Sequence, residues 1–210
     1  MNVISNILYW ISTGLLVPVI VLLILFFLKS LILIGTFFGQ YLAEKRSAAP
    51  LCAKIRNLSP AGITEFRESI PAKSKTPIAA YAARVIDDRG NRARTDLLLS
   101  EYEMDADKDV STSKILTKMG PILGLMGTLI PMGPALVGLA SGDIASMAYN
   151  MQVAFATTVV GLVVSAIGFV TQQLKERWAV RNLTALEYLA EVVNESGTGK
   201  EVKQPKSEKE

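Results

Sequence analysis

Hydroxyl and amide side chains recur on one face of an apolar segment in the C-terminal half of the chain. Asn150, Thr157 and Ser165 follow one another at helical spacing, with Thr158 at the edge of the same face. In a membrane, a row of neutral oxygens can line a narrow pathway for ions. Such hydroxyls can equally bond to a carbonyl of their own helix and serve only in packing. The face therefore fits either an ion pathway or a helix–helix contact.

The preceding apolar segment has one face of small residues and one face of Leu, Ile, Met and Val. Gly and Pro recur on the small face at three- or four-residue steps. That face consists of Gly120, Gly124, Gly127, Pro131, Pro134 and Gly138, and Gly161 belongs to the polar face of the later segment. Small residues let helices approach closely in lipid, and each proline leaves a backbone carbonyl that needs another partner. We expect a helix-packing surface that also borders any pore.

Ionisable groups are missing from the places where membrane chemistry would use them. The chain has no histidine, and its apolar segments contain neither Asp nor Glu. A proton relay normally needs an ionisable group at membrane depth, so a second chain would have to supply it. Without histidine, no set of nucleophile, base and orienting group can be named, and the lone Cys52 is interpreted as an incidental thiol. The sequence therefore predicts no catalytic residue, no metal site and no cofactor.

Three apolar segments account for a composition that is 50% hydrophobic and only 20% charged. They cover residues 7–38, 119–139 and 144–170, and about 20 apolar residues suffice to cross a bilayer as a helix. Of the 22 Lys and Arg residues, one is Lys29, 14 lie between Lys45 and Lys118, and seven lie from Lys175 onward. Cytoplasmic segments collect Lys and Arg. The pattern predicts three crossings of the cytoplasmic membrane, with the N-terminus outside and the C-terminus in the cytoplasm.

The predicted fold is an all-α integral membrane protein with three transmembrane helices and long cytoplasmic helical extensions. The first span covers Ile7–Leu28 or, in the favoured register, Leu15–Phe38 after a short outer helix before Gly14. The proline-free stretch Ile78–Tyr102 predicts one helix, and no second globular core is evident. The predicted segments are the outer N-terminus and first span 1–40, the cytoplasmic segment 41–118, the second span 119–139, the outer turn 140–143, the third span 144–171, the amphipathic helix 172–196 and a disordered tail 197–210.

Two stretches of the apolar hairpin resemble the signatures of a known family. Residues 120–131 read GPILGLMGTLIP, and residues 150–167 read NMQVAFATTVVGLVVSAI. These are similar to the paired signatures of the MotA/TolQ/ExbB proton-channel family. The three-span layout is similar to that of TolQ and ExbB, and the resemblance covers about residues 114–193.

The resemblance implies a pentamer, with the second and third spans lining a central pore. It also implies a single-span partner of the ExbD, TolR or MotB type, which carries an essential Asp. An ion gradient would then drive rotation or force through protonation and release of that Asp. Carried over from the family signatures, the hydroxyls of Thr128 and Thr158 line the pore near the partner carboxylate. Thr157, Asn150 and Ser165 join the predicted pathway from the helical face alone.

One departure and one alternative accompany this resemblance. The family often has a Glu five residues before Thr158, where this chain has Val153. The partner Asp would then be the sole carrier, and either H⁺ or Na⁺ could be the coupling ion. The alternative is a structural membrane scaffold that oligomerises through its small-residue helix faces without ion transport. The expected partners are further copies, the single-span protein and the lipid bilayer. Nucleic acid is not expected, because the basic run Arg84–Arg94 also contains acidic residues.

Overall fold

The computed structural model describes residues 2–70, 76–89 and 91–201, and every regular element within these ranges is a helix. The all-helical prediction is therefore confirmed for the described residues. The elements are α1 (Asn2–Ala43), a π-helical turn (Glu44–Ala48), α2 (Ala49–Arg56), a 3₁₀ turn (Pro60–Gly62), α3 (Ile63–Ser69), α4 (Pro77–Asp87), α5 (Arg92–Ala140) and α6 (Ile144–Glu201).

Three of these helices, α1, α5 and α6, are long and apolar enough to cross a membrane. Helices α5 and α6 contain 49 and 58 residues, more than twice the length that a bilayer requires. Helix α5 begins well before the predicted start of the second span at residue 119. Helix α6 continues without a break past the predicted end of the third span at residue 171. Helix α1 is likewise continuous and contains Pro18, so the separate outer helix predicted before Gly14 is wrong.

The first of two compact units comprises the chain up to Phe37 together with Val110–Gln173. Within it, α1 packs on the hairpin formed by α5 and α6. Val19 and Leu23 contact Leu123, while Leu33 packs with Leu116 and Val164. Large apolar side chains such as Leu129, Val137, Phe155 and Leu162 remain exposed on the same unit. An apolar exterior of this extent suits a protein surrounded by lipid or by further membrane helices.

A tight turn joins α5 to α6. It occupies Ser141–Asp143 and contains Gly142 at a positive φ of 75°, which glycine adopts without steric cost. The Asp143 carboxylate accepts a 3.0 Å hydrogen bond from the backbone N–H of Ser146. Asp143 therefore caps the first turn of α6, where backbone N–H groups lack helical partners.

The second unit comprises Phe38–Asp109 and the chain from Leu174 onward. Contrary to the sequence prediction, it has an apolar core of its own. The core draws on α2, α3, α4, α5 and α6, and its fully buried members include Ile55, Ile63, Ile78, Val85, Leu186, Leu189 and Val193. Each contributing segment is short and interleaved with charges. The core therefore becomes visible only once the segments pack together.

Two helix boundaries of the second unit also differ from the prediction. The single helix predicted over Ile78–Tyr102 is divided, because α4 ends at Asp87 and α5 begins at Arg92. The Asn91 side chain accepts a 3.1 Å bond from the N–H of Arg94, which is an N-cap. Helix α6 continues to Glu201, past the predicted end at Gly197. The rest of the predicted tail, residues 202–210, lies outside the described residues.

Candidate functional site

The α5–α6 hairpin is held by backbone-to-backbone contact at its glycines. A Cβ atom placed on Gly120 would lie 2.7 Å from the carbonyl oxygen of Gly161, and one on Gly161 would lie 2.6 Å from that of Gly120. Carbon atoms do not approach oxygen this closely, so both positions require glycine. This reciprocal contact agrees with the predicted role of the small residues in close helix packing.

The glycine contacts define the antiparallel register of the hairpin. Gly168 faces Thr117, Gly127 faces Thr157, and Gly138 faces Met147. Moving along α5 toward its C-terminal end therefore moves the facing position on α6 toward the N-terminal end of α6, residue for residue. The register matters because it decides which polar groups share a depth in the membrane.

One proline-freed carbonyl has a partner on the facing helix. Pro121 has no N–H to offer the carbonyl of Thr117, four residues earlier. The Ser165 hydroxyl donates a 3.0 Å hydrogen bond to that carbonyl. One turn further along, the Thr171 hydroxyl lies 3.1 Å from that of Ser113, and both residues are buried. Sequence reasoning missed Ser113, Thr117 and Thr171 as bonding groups, since their partners lie on another helix.

Thr128 and Thr158 lie at nearly the same depth, one residue on from the facing pair Gly127 and Thr157. Both side chains are half-buried. The Thr128 hydroxyl donates to the carbonyl of Leu125 at 2.7 Å, and the Thr158 hydroxyl donates to that of Ala154 at 3.0 Å. Each proton is committed to the residue's own helix. Each oxygen therefore presents lone pairs, which accept hydrogen bonds or bind cations.

Thr157 and Ser165 point to the interior of the hairpin, and Asn150 lies on the same helix nearer to the turn. The Thr157 oxygen lies directly against Gly127, where a Cβ would be only 2.5 Å away, and the residue is 6% exposed. Its hydroxyl donates to the carbonyls of Val153 and Ala154. The Asn150 amide is half-buried and donates to the carbonyl of Ser146 at 2.9 Å. Within one chain, Thr157 and Ser165 therefore lie against α5, and Asn150 bonds to its own helix.

The described part of the chain has no group of three or more His, Cys, Asp or Glu side chains that could hold a metal ion. Between Met119 and Gln173, the only ionisable side chain of Asp, Glu, Lys or Arg is Asp143, in the turn. Lys29 on α1 is exposed. The oxygens of the hairpin are therefore neutral, so they can bind or guide an ion but cannot carry a proton by titrating.

The second unit has a polar cluster at the π-helical turn. Pro50 has no N–H to donate to the carbonyl of Arg46. The N–H of the preceding residue, Ala49, bonds to the carbonyl of Glu44, five residues earlier, as in a π-helix. The Glu44 carboxylate accepts bonds from Arg181 and Asn182. Asn182 also accepts a 3.2 Å bond from the Cys52 thiol. Burial raises the pKa of that thiol above its ordinary value, which makes Cys52 a poor nucleophile.

A buried lysine lies in the same unit. The Lys175 side chain is only 5% exposed, and its ammonium group bonds to the carboxylate of Asp109 at 3.1 Å and to the backbone carbonyl of Asp109 at 3.3 Å. The Gln40 amide donates to the same carboxylate at 3.3 Å. Lysine is almost never buried without a partner. The contact therefore ties the end of α1 to α5 and α6 within this unit.

Comparison with known proteins agrees with the resemblance seen in the sequence. A family model, described as the MotA/TolQ/ExbB proton channel family, matches residues 74–187. The match covers more than half of the chain and includes all of α5 and α6 as far as residue 187. No curated protein and no solved structure matches the chain significantly.

Proposed function

The chain belongs to the MotA/TolQ/ExbB proton channel family, and from this premise we propose that it is the channel subunit of an ion-driven membrane motor. Family membership and three apolar helices make it a multi-pass membrane protein of a channel family rather than of an enzyme family. We propose further that it assembles as a homopentamer around a central pore. In the complex, ion flow is converted into rotation or force that is passed across the membrane.

The partner follows from what the hairpin lacks. Its spans contain no Asp, Glu or His, so the chain itself has no titrating group at the depth where a proton would be handed on. A single-span protein of the ExbD, TolR or MotB type, with one essential Asp, supplies that group. Hydroxyl oxygens near this Asp stabilise the ion as it reaches or leaves the carboxylate.

The observation that carries the proposal is the state of Thr128 and Thr158. Both lie on the tightly packed hairpin at one depth, both are half-buried, and both have oxygens with free lone pairs. They are the residues proposed to face the pore. Thr157, Ser165 and Asn150 support the pathway from within the hairpin, where they bond to backbone carbonyls.

The distribution of Lys and Arg supports an orientation in the cytoplasmic membrane with the C-terminus inside. The turn between α5 and α6 has no basic residue, whereas the second unit contains nearly all of the chain's Lys and Arg. In this orientation the turn at Gly142 lies outside and the second unit lies in the cytoplasm.

The proposal is tested by purifying the full-length protein from its native membrane and measuring its mass by native mass spectrometry. We expect five copies together with a smaller protein that has one apolar span and an Asp near the start of that span. Reconstituted vesicles should take up H⁺ or Na⁺ along an imposed gradient, and an uncoupler should abolish proton-driven uptake. A stable monomer with no such partner contradicts the proposal. A pentamer whose vesicles show no ion uptake supports the scaffold alternative.

A further inference from the structure

Helices α5 and α6 run antiparallel through the second unit, and two contacts set their register. The Lys175 ammonium bonds to the Asp109 carboxylate at 3.1 Å. Seven residues further from this pair on each helix, the side chains of Tyr102 and Asn182 are hydrogen-bonded to each other. Since every residue advances a helix by about 1.5 Å, equal counts from the Lys175–Asp109 pair reach the same level on both helices.

The charges of the two helices are opposite at each level and change sign from one level to the next. Residues 101–109 of α5 are level with residues 175–183 of α6. The former contain five acids and one base, whereas the latter contain three bases and one acid. Residues 92–100 of α5 are level with residues 184–192 of α6, and here two bases and one acid meet two acids and no base. Over this length, the charge pattern of α5 is complementary to that of α6.

Ion pairs inside the second unit use only part of this complementarity. They include Lys175–Asp109, Arg84–Glu101, Arg94–Asp88 and Arg181–Glu44. Other charged side chains of the same stretches are exposed, among them Glu103 and Arg92 on α5 and Arg177, Glu187 and Glu191 on α6. These exposed groups keep the same order, with an acid on α5 where α6 has a base and a base on α5 where α6 has acids. An α6 helix from a second copy, placed against α5, would therefore meet opposite charges at both levels.

Large apolar side chains lie exposed between these charges. Met104 on α5 is 65% exposed and Val180 on α6 is 66% exposed. Each lies five residues from the Lys175–Asp109 pair, so the two are level. A single exposed apolar residue is ordinary in water. A level pair flanked by opposite charges has instead the composition of a helix-packing contact, with an apolar centre and charged edges.

We propose that the exposed side of α5 in one copy of the chain packs against the exposed side of α6 in the next copy. Met104 packs on Val180 at the centre, and the flanking contacts are Glu103 with Arg177 and Arg92 with Glu191. The proposal rests on the homopentamer proposed above, and it identifies the surface of the second unit that joins neighbouring copies.

The orientation of the copies makes this pairing possible. Copies in one membrane complex share one orientation, so residues that are level within a chain are also level between chains. Arg92 and Glu191 are level to within one residue, and Glu103 and Arg177 differ by four residues, or about 6 Å, which two long side chains span. Because α5 meets α6 rather than another α5, the contact is heterologous, and heterologous contacts generate rings.

The test is disulfide cross-linking in native membranes that contain the whole complex. The background is Cys52→Ser, since Cys52 is the only thiol and serine keeps the donor to Asn182. Under mild oxidation, the double variant Met104→Cys with Val180→Cys should give a ladder of covalent oligomers up to the complete ring. Met104→Cys alone should give no dimer, because a heterologous contact does not bring two Met104 positions together.

A matched control keeps the same two helix sides but changes the level. Met104→Cys with Glu195→Cys moves the second thiol 15 residues along α6 from Val180, or roughly 22 Å. Glu195 is exposed, as Val180 is, so both thiols remain accessible to the oxidant. This control should give no ladder.

Charge reversal in the double-cysteine variant tests the flanking contacts. Glu103→Arg opposes Arg177 with a like charge, and it should lower the cross-linked fraction at least threefold at low salt. Adding Arg177→Glu should restore at least half of the lost fraction. The control is Glu68→Arg on α3, which changes an exposed acid outside the two helices and should leave the fraction unchanged.

Native mass spectrometry of the same unoxidised preparation separates this proposal from the channel proposal. Five copies without a Met104→Cys to Val180→Cys cross-link would overturn the interface and leave the channel subunit standing. Dimers of Met104→Cys alone, or a ladder from the Glu195→Cys control, would also overturn the interface. A cross-linked ladder that ends at another copy number would support the interface and contradict the pentamer. A monomer would contradict both.

Discussion

The interiors of the two units of the chain are built from residues of opposite size. In the first unit, the hairpin interior is made of glycine backbone and hydroxyl groups, with Gly120 and Gly161 in direct contact. In the second unit, the interior is made of Ile, Leu and Val side chains, such as Ile55 and Leu186. Burial of large apolar groups drives folding in water, but lipid is as apolar as leucine, so membrane helices gain by close approach instead. The same chain therefore depends on large residues in one unit and on small ones in the other.

The largest effect should come from a large-to-small change in the second unit. Leu186 is fully buried, and Leu186→Ala leaves a cavity that should cost about 2–5 kcal/mol of unfolding free energy. The matched control is Leu97→Ala, since Leu97 is 57% exposed. Cys52 is the only thiol and is buried, so maleimide labelling in increasing urea reports the unfolding of this unit. Equal urea midpoints for the two variants would show that the core is not a stabilising unit.

A small-to-large change should be the damaging one in the first unit. Gly161→Ala places a Cβ 2.6 Å from the Gly120 carbonyl oxygen, so the helices must separate, at a cost of about 1–3 kcal/mol. In Gly35→Ala on α1, by contrast, the new Cβ meets nothing within 4 Å, and the change should be neutral or slightly stabilising. Thermal unfolding in nanodiscs compares the two variants. A Gly161→Ala protein as stable as Gly35→Ala would remove the basis for the close-packed hairpin.

A smaller effect should come from a surface ion pair of the second unit. Arg67 donates two 2.8 Å hydrogen bonds to Asp87, and these bonds lower the pKa of the Asp87 carboxyl. The stabilisation is therefore present above the ordinary aspartate pKa of about 3.9 and is lost as the pH falls through the lower folded-state value. Both side chains are partly exposed, so Asp87→Asn should cost less than about 1 kcal/mol at pH 7.

The pH dependence checks this assignment. Unfolding of Asp87→Asn and of the unmodified protein should differ at pH 7, and the difference should shrink as the pH falls below the ordinary aspartate pKa and through the lower folded-state pKa of Asp87. Asp96→Asn serves as the control on an exposed residue of α5. If the difference persisted unchanged at low pH, the ionised carboxylate of Asp87 would not be its source.

Patterns along the chain predicted the first unit better than the second. The three apolar helices are visible as uninterrupted runs, and the glycine face of residues 120–138 is visible as a helical repeat. The core of the second unit is built from separate short segments whose partners are set by tertiary packing. No single segment has a pattern that predicts this core. The break between Asp87 and Arg92 did have a local signal, because Asn91 is a typical N-cap residue.

Within the candidate site, residue types were predictable but their directions were not. The helical repeat grouped Thr157 and Ser165 with pore-facing residues, because one sequence cannot tell a face that meets its own hairpin from a face that meets a pore. The structure places both against α5, and it leaves Thr128 and Thr158 half-buried at one depth. The bond from Ser165 to the carbonyl of Thr117 depends on the hairpin register, which local sequence does not specify.

The most direct test of the channel account compares two threonines with the same local bonding. Thr158 at membrane depth and Thr184 in the second unit each donate to a carbonyl four residues earlier, both at 3.0 Å. Ion uptake should be measured in vesicles that contain the purified complex with either Thr158→Val or Thr184→Val, after native mass spectrometry confirms equal assembly. The account predicts at least a tenfold loss of uptake for Thr158→Val and unchanged uptake for Thr184→Val. Full uptake by a correctly assembled Thr158→Val complex would contradict it.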